Sequence, residues 1–222
     1  DGLRRMVQEQ EDVFYYITVM NENYSHPALP KGAEKGILKG LYKLSEGGRV
    51  KGKGKKALPR VQLLGCGTIL REVMAAAELL ETDWGVAADV WSATSFNELR
   101  REAQDVHRWN LLHPDKKAKT SYVEQCLDGA EGPVIAATDY IRAFADQIRP
   151  YVHRRYVTLG TDGFGRSDSR EALRSFFEVD RRYVVLAALK ALADDGVIPA
   201  GKAAEAIKKY GIDADRANPV NV

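Results

Sequence analysis

The chain has 222 residues, which is enough for one large α/β domain or for one domain together with the end of another. Apolar residues make up 45% and charged residues 29%, so a packed core is expected and global disorder is excluded. The net charge of +2 and the absence of any apolar run of membrane-spanning length give no reason to expect nucleic acid or membrane partners.

The chain opens on a predicted helix with an apolar face formed by Leu3, Met6 and Val7. Residues 13–20 follow and are almost continuously apolar, which predicts a strand buried on both faces. A domain seldom begins inside a helix whose apolar face already needs a partner, and residue 1 is not Met. We therefore expect the chain to be a fragment of a longer polypeptide.

Two further strands are predicted at residues 37–44 and 58–64, after a Pro- and Gly-containing linker. A polar loop rich in Lys and Gly, residues 47–56, separates them. Two strands joined by such a loop most simply form a hairpin, so one strand of the sheet should run antiparallel to its neighbour.

Strands and helices alternate from this point to the end of the chain. Ser95 with Glu98, and Asp168 with Glu171, have the spacing of helix-capping boxes. The alternation predicts a doubly wound α/β fold with a mostly parallel sheet, helices on both faces and right-handed crossovers. Strands are predicted at residues 87–91, 133–137 and 155–159, and helices at residues 69–80, 140–148, 183–193 and 201–210.

Residues 65–68 form a glycine-containing turn between a strand and a helix, so they invite comparison with a dinucleotide-binding motif. That motif requires a third glycine where Leu70 stands, and an acidic residue at the end of the next strand, where Trp91 and Ser92 stand. A tight turn without a ligand is the favoured interpretation. Cys66 is then a small residue that fills the turn.

A second glycine-rich turn, residues 160–167, could hold an anion or a partner loop. The favoured interpretation is structural: Asp162 accepts backbone N–H groups, and Gly163 and Gly165 supply unusual dihedral angles. Phe164 is then expected to fill the core or a subunit interface.

The histidines and cysteines do not have the spacing of a metal site or of a nucleophilic catalytic set. Two distant cysteines are typical of the reducing cytosol, so we expect a cytoplasmic protein. His113 and His153 are expected to be solvated. His26 follows the predicted strand at residues 13–20, where side chains point into ligand crevices, although a surface or interface role is favoured over catalysis.

Four segments carry a resemblance to a known family, the homodimeric bacterial pyruvate dehydrogenases, which are transketolase-like thiamine diphosphate enzymes. The segments are YYIT–NENY at residues 15–24, GAEKGI at residues 32–37, RWNLLHP at residues 108–114 and LGTDGFGRSDSR at residues 159–170. The resemblance implies that residues 1–24 close the middle, aminopyrimidine-binding domain and that residues 25–36 are a linker. Residues 37–222 would then form the C-terminal domain, with a five-stranded sheet containing one antiparallel strand.

The resemblance also implies a function for the parent enzyme. Members of this family decarboxylate pyruvate on thiamine diphosphate with magnesium, and then reductively acetylate the lipoyl group of a dihydrolipoyl acyltransferase component. Their catalytic and cofactor-binding residues match no segment of this chain, so the chain is expected to be inactive alone and to serve dimer contact and active-site support. Only residues 21–26 are expected near the substrate channel, with Asn21, Asn23, Tyr24 and His26 as candidates.

Two other functions are compatible with the residues alone. The chain could be a free-standing module that binds a nucleotide or anion at one of the two glycine-rich turns. Alternatively, the basic loop at residues 49–56 could bind polyanions, although it lacks the interleaved aromatic residues of a nucleic-acid surface and is more simply a solvated tip.

Overall fold

The computed structural model describes residues 1–20, 23–48 and 58–222. Its centre is a five-stranded sheet in the order β1-β3-β2-β4-β5, in which only β1 is antiparallel to its neighbour. The strands are β1 (Leu41–Ser45), β2 (Arg60–Gly65), β3 (Ala87–Ala93), β4 (Val134–Ala137) and β5 (Tyr156–Leu159). The α-helices are α1 (Glu34–Lys39), α2 (Ile69–Trp84), α3 (Phe96–Leu112), α4 (Tyr122–Leu127), α5 (Arg142–Asp146), α6 (Arg170–Phe176), α7 (Arg181–Asp194) and α8 (Gly201–Tyr210).

The core forms two layers, one on each face of the sheet. The first packs α2, α7 and α8 against side chains such as Val61 and Leu63 of β2, whereas the second packs α3, α4 and α5 against Leu64. Every residue of β3 and β4 is buried, as expected for strands covered on both faces. The predicted fold class, including the five strands and the single antiparallel pair, is confirmed.

The predicted hairpin is wrong. β1 pairs with β3, with Leu41 opposite Ala93, and β3 also pairs with β2, so β1 and β2 are not neighbours. The strand predicted at residues 37–44 begins only at Leu41, because α1 continues to Lys39. Buried backbone N–H and C=O groups need hydrogen-bond partners, and β1 supplies them along the edge of β3 that β2 does not cover. The loop at residues 49–57 lies outside the described residues.

The strand predicted at residues 13–20 is also absent from the described structure, where these residues have no regular conformation. Phe14 and Tyr16 are each 88% exposed. No described strand pairs with this segment, and backbone groups without a ladder partner have no reason to hold a strand conformation. The predicted opening helix is present as a short π-helix, Arg4–Gln8, but Leu3 and Val7 on its apolar face are exposed.

The helix caps differ in detail from the predictions. The Ser95 side chain accepts a hydrogen bond from the Glu98 backbone N–H at 3.1 Å, which is one half of the predicted capping box, while the Glu98 carboxylate pairs with Arg101. Asp168 does not cap α6; the helix begins one residue later, and Ser169 accepts from the Ala172 N–H at 3.2 Å. Serine and aspartate are nearly equivalent N-caps, so the sequence does not distinguish these two positions.

A buried polar network crosses β2 and β3. Trp91 Nε1 donates to Gln62 Oε1 at 2.8 Å, and Gln62 Nε2 donates to Asp89 Oδ2 at 3.2 Å. Asp89 also pairs with Arg60 and accepts from the Gly47 N–H at 3.1 Å. Gln62, which is completely buried, therefore has partners for both ends of its amide. Within the described residues, no helix has both the length and the apolar character to cross a bilayer.

Candidate functional site

The candidate site lies at the carboxyl ends of β2 and β4, the central neighbouring strands. Chain connections leave these two strands in opposite directions, β2 through α2 to β3 and β4 through α5 to β5. In open α/β sheets, such a switch point leaves a crevice in which ligands bind. The two strand ends are joined here by a hydrogen bond from Thr68 Oγ1 to Asp139 Oδ2 at 2.9 Å.

Two adjoining clefts open at this point, with volumes of about 540 Å³ and 450 Å³. Met20, Tyr24 and Thr68 line both of them. The larger cleft combines apolar side chains with three cations, and its lining includes Leu173, Phe177, Arg166, Arg170 and Arg174. The smaller cleft is lined by residues that include Ser25, His26, Arg71, Glu78 and Arg181.

Tyr24 stands between the two clefts and contacts two arginines. The Arg71 guanidinium carbon lies 4.3 Å from the centre of the tyrosine ring, which is a cation–π contact. Arg174 Nη2 donates to the Tyr24 hydroxyl at 3.3 Å. Arg71 Nη1 also donates to the Ser25 carbonyl at 3.2 Å, so the segment is held through its backbone as well as through its ring.

Glu72 lies beneath this arrangement on α2, with only 7% of its side chain exposed. It accepts from the Arg181 backbone N–H at 3.0 Å, from Arg181 Nε at 2.9 Å and from Arg174 Nη1 at 3.3 Å. Burial alone would raise the pKa of Glu72, but the hydrogen bonds and positive charges of the two arginines outweigh it and lower the pKa below its usual value. Glu72 is therefore a carboxylate that orients cations and is not an acid that supplies a proton.

Only some of the four substrate-channel candidates line a cleft in the described structure. Tyr24 borders both clefts, and the exposed His26 lines the smaller one. Asn23 is exposed and lines neither cleft, and Asn21 lies outside the described residues. The sequence did not indicate Arg71, Glu72 or Arg174, because each occupies an ordinary helical position.

The turn at residues 65–68 is built for close packing. A Cβ atom added to Gly65 would lie 2.6 Å from the Leu70 Cα, so glycine lets the end of β2 approach the first turn of α2. The Cys66 side chain is buried, and this burial raises the pKa of its thiol to about 11. Cys66 therefore fills the turn as an inert thiol, in agreement with its predicted structural role.

Cys66 is accordingly expected to resist alkylation. In a Cys126→Ser variant, iodoacetamide should modify Cys66 at pH 8 on the order of a hundredfold more slowly than it modifies a free thiol, because only the thiolate reacts. The rate is measured by mass spectrometry, with the same variant unfolded in urea as the control. Equal rates in the folded and unfolded protein would contradict the buried placement.

The turn at residues 160–167 is tied to α5. Asp162 accepts from the Arg142 backbone N–H at 3.1 Å and pairs with Arg142 Nε at 3.2 Å, as predicted for an acceptor of backbone bonds. Gly163 has the expected positive φ of 107°, whereas Gly165 does not have a positive φ. Phe164 is 81% exposed, so the prediction that it fills the core is wrong. The alternative, that it fills a subunit interface, stays a prediction.

The two histidines predicted to be solvated, His113 and His153, both contact other side chains. The His113 ring stacks on Trp109 at 4.4 Å, and its Nδ1 lies 2.8 Å from the Trp109 carbonyl oxygen. His153 is largely exposed, but its Nδ1 lies 3.2 Å from Asp128 Oδ1. Among the described residues, no group of three His, Cys, Asp or Glu side chains could hold a metal ion.

Comparison with known proteins identifies two matching families and several close relatives. The profile described as pyruvate dehydrogenase E1 component middle domain matches residues 1–27, and the transketolase-like TK C-terminal domain matches residues 40–180. The pyruvate dehydrogenase E1 component of Cupriavidus necator is 62% identical over 222 residues, and that of Pseudomonas aeruginosa is 61% identical. Each alignment covers 100% of this chain and 24% of the relative, so the chain spans about a quarter of the curated relatives' length.

A solved transketolase from Leishmania mexicana is 18% identical with a TM-score of 0.47, covering 74% of this chain and 20% of that one. The resemblance found in the sequence is confirmed by the two family matches and by the identity to the E1 components. The match to the transketolase-like TK C-terminal domain, residues 40–180, covers well over half of this chain. The chain therefore belongs to that family.

Proposed function

We propose that this chain is part of a pyruvate dehydrogenase E1 component, an acetyl-transferring oxidoreductase. The observation that carries the proposal is identity of 62% and 61%, over the whole chain, to two proteins of that name. The parent enzyme would decarboxylate pyruvate on thiamine diphosphate and reductively acetylate the lipoyl group of a dihydrolipoyl acyltransferase component. We further propose that it is a cytoplasmic homodimer within a multienzyme complex.

Within that enzyme, we assign residues 1–24 to the end of the middle domain, residues 25–36 to a linker and residues 37–222 to the C-terminal domain. The family matches at residues 1–27 and 40–180 support this division, although α1 (Glu34–Lys39) crosses the proposed linker boundary. The C-terminal domain would then contribute to dimer contact and support the entrance of the active site. Asn21, Asn23, Tyr24 and His26 remain our candidates for the segment beside the substrate channel.

The residues that the structure describes do not fit a thiamine diphosphate–magnesium site. Magnesium bound to a diphosphate needs one or two carboxylates, or carbonyl oxygens, that are free to bind it at one place. Asp139, which lines the larger cleft, already accepts from Thr68, and Glu72, which lies on α2 beside the clefts, already binds two arginines. We therefore assign cofactor binding to parts of the parent enzyme outside this chain.

The proposal is tested with the full-length protein that contains this chain. Supplied with thiamine diphosphate and Mg²⁺, it should release carbon dioxide from pyruvate and acetylate an added lipoyl domain, whereas the 222-residue chain should do neither. Longer 2-oxo acids serve as the comparison for substrate choice. A full-length protein that folds but leaves pyruvate unchanged would refute the proposal. The alternative of a free-standing nucleotide- or anion-binding module has no support in the comparisons.

A further inference from the structure

Residues 24–27 line the clefts, Tyr24 both of them and the other three the smaller one, and the contacts that hold this segment come from two different helices. Arg71 on α2 stacks on the Tyr24 ring at 4.3 Å and donates to the Ser25 carbonyl at 3.2 Å. Arg174 on α6 donates to the Tyr24 hydroxyl at 3.3 Å. The ring and the hydroxyl of one residue are thus bound by separate cations.

Arg174 is itself held in place by Glu72. Its Nη1 donates to Glu72 Oε1 at 3.3 Å while its Nη2 reaches Tyr24, so the planar guanidinium joins a buried carboxylate to the segment above it. Its side chain is only 17% exposed. Glu72 is fixed in turn by three hydrogen bonds from Arg181. A guanidinium fixed at one edge presents its other edge in a defined direction.

The same contacts argue against a direct role of Tyr24 toward substrate. Its hydroxyl is engaged by Arg174 and one face of its ring is covered by Arg71. His26, two residues further along, is exposed and lines the smaller cleft. Holding Tyr24 therefore limits the positions available to the residues on either side of it.

We propose that Arg71 and Arg174 are positioning residues that anchor Tyr24, and that this anchor sets where residues 23–27 stand at the entrance to the substrate channel. The existence of the anchor does not depend on the enzyme activity. Its effect on catalysis rests on the proposed function, because residues 21–26 are assigned to the channel only under that proposal.

The experiment uses three variants of the full-length protein. Tyr24→Phe removes the hydroxyl but keeps the ring for Arg71, and Tyr24→Leu removes both contacts. Tyr122→Phe is the matched control, because its hydroxyl donates to the Leu41 carbonyl at 2.8 Å on the opposite face of the sheet. Hydrogen–deuterium exchange measures how firmly residues 23–27 are held, and steady-state kinetics with pyruvate gives KM and kcat separately.

Exchange at residues 23–27 should become faster in Tyr24→Phe and faster still in Tyr24→Leu, with α2 and α7 unchanged. The KM for pyruvate should rise about fivefold in Tyr24→Phe, the size expected for one lost hydrogen bond, and more in Tyr24→Leu, while kcat stays within about twofold. Tyr122→Phe should alter neither exchange at residues 23–27 nor KM.

Unchanged exchange in Tyr24→Leu would overturn the anchor itself. Faster exchange with an unchanged KM, or a fall in kcat at constant KM, would overturn its positioning role. If the wild-type enzyme does not act on pyruvate, the proposed function fails, and the exchange measurement alone still decides whether the anchor exists.

Discussion

Replacing Glu72 with glutamine is expected to lower the free energy of unfolding by about 3 kcal/mol, because it breaks a buried ion pair and leaves the cations without their partner. Glu72 is buried and binds both Arg174 and Arg181. The measurement is urea denaturation of the 222-residue chain followed by circular dichroism. Glu81→Gln is the control, since Glu81 is an exposed carboxylate on the same helix and should change stability by less than about 0.5 kcal/mol.

The difference in unfolding free energy between wild type and Glu72→Gln should become smaller as the pH falls. The pKa of Glu72 is lowered in the folded state, so its ionised form stabilises the fold at any pH above the unfolded pKa of about 4.3. As the pH falls below that value, through the lowered folded pKa, the carboxylate takes up a proton and the advantage over glutamine disappears. A difference that is constant from pH 7 to pH 3, or that grows on acidification, would contradict the ion-pair interpretation.

Replacing Gly132 with alanine is expected to lower the free energy of unfolding by about 3 kcal/mol, from left-handed backbone strain and a steric clash together. Gly132 has a φ of 80°, and an added Cβ would lie 1.8 Å from the Arg60 carbonyl oxygen. Because that oxygen belongs to the backbone at the start of β2, it cannot rotate away as a side chain could. The strand ladder between β2 and β4 would have to shift.

Gly85→Ala is the matched control for this second prediction. Gly85 has a similar φ of 62°, but an added Cβ would meet no atom within 4 Å. The Gly85→Ala substitution should therefore lower the free energy of unfolding by about 1 kcal/mol, from backbone strain alone. Thermal and urea unfolding of both variants separate the two contributions, and equal losses would show that the contact with Arg60 carries no cost.

The fold class could be predicted because its signals are local. β3 and β4 are short apolar runs between helical patterns, and burial on both faces of a parallel sheet requires that composition. Strand order could not be predicted in the same way. The position of β1 beside β3 depends on contacts between residues such as Leu41 and Ala93, which lie far apart in the chain. The predicted hairpin failed for this reason.

The candidate site was predictable only in part. Its two glycine-rich turns and the segment that contains Tyr24 and His26 were recognisable, because turns have a local residue code and the segment carries the family resemblance. The ion-pair cluster was not recognisable, because Glu72 and Arg174 are 102 residues apart in the sequence. Each of these residues is an unremarkable charged residue on an amphipathic helix until the fold brings them together.

The polar network inside the sheet also fixes the position of β2 along its neighbouring strands. Val61 and Leu63 face one core layer and Leu64 faces the other, so hydrocarbon packing alone would tolerate β2 sliding past its neighbours by one position. Such a slip would move the Gln62 amide away from Asp89 and Trp91, and the buried Trp91 Nε1 and Gln62 Oε1 would then lose the hydrogen bond that joins them. A single amide therefore excludes a misaligned sheet that apolar side chains by themselves would accept.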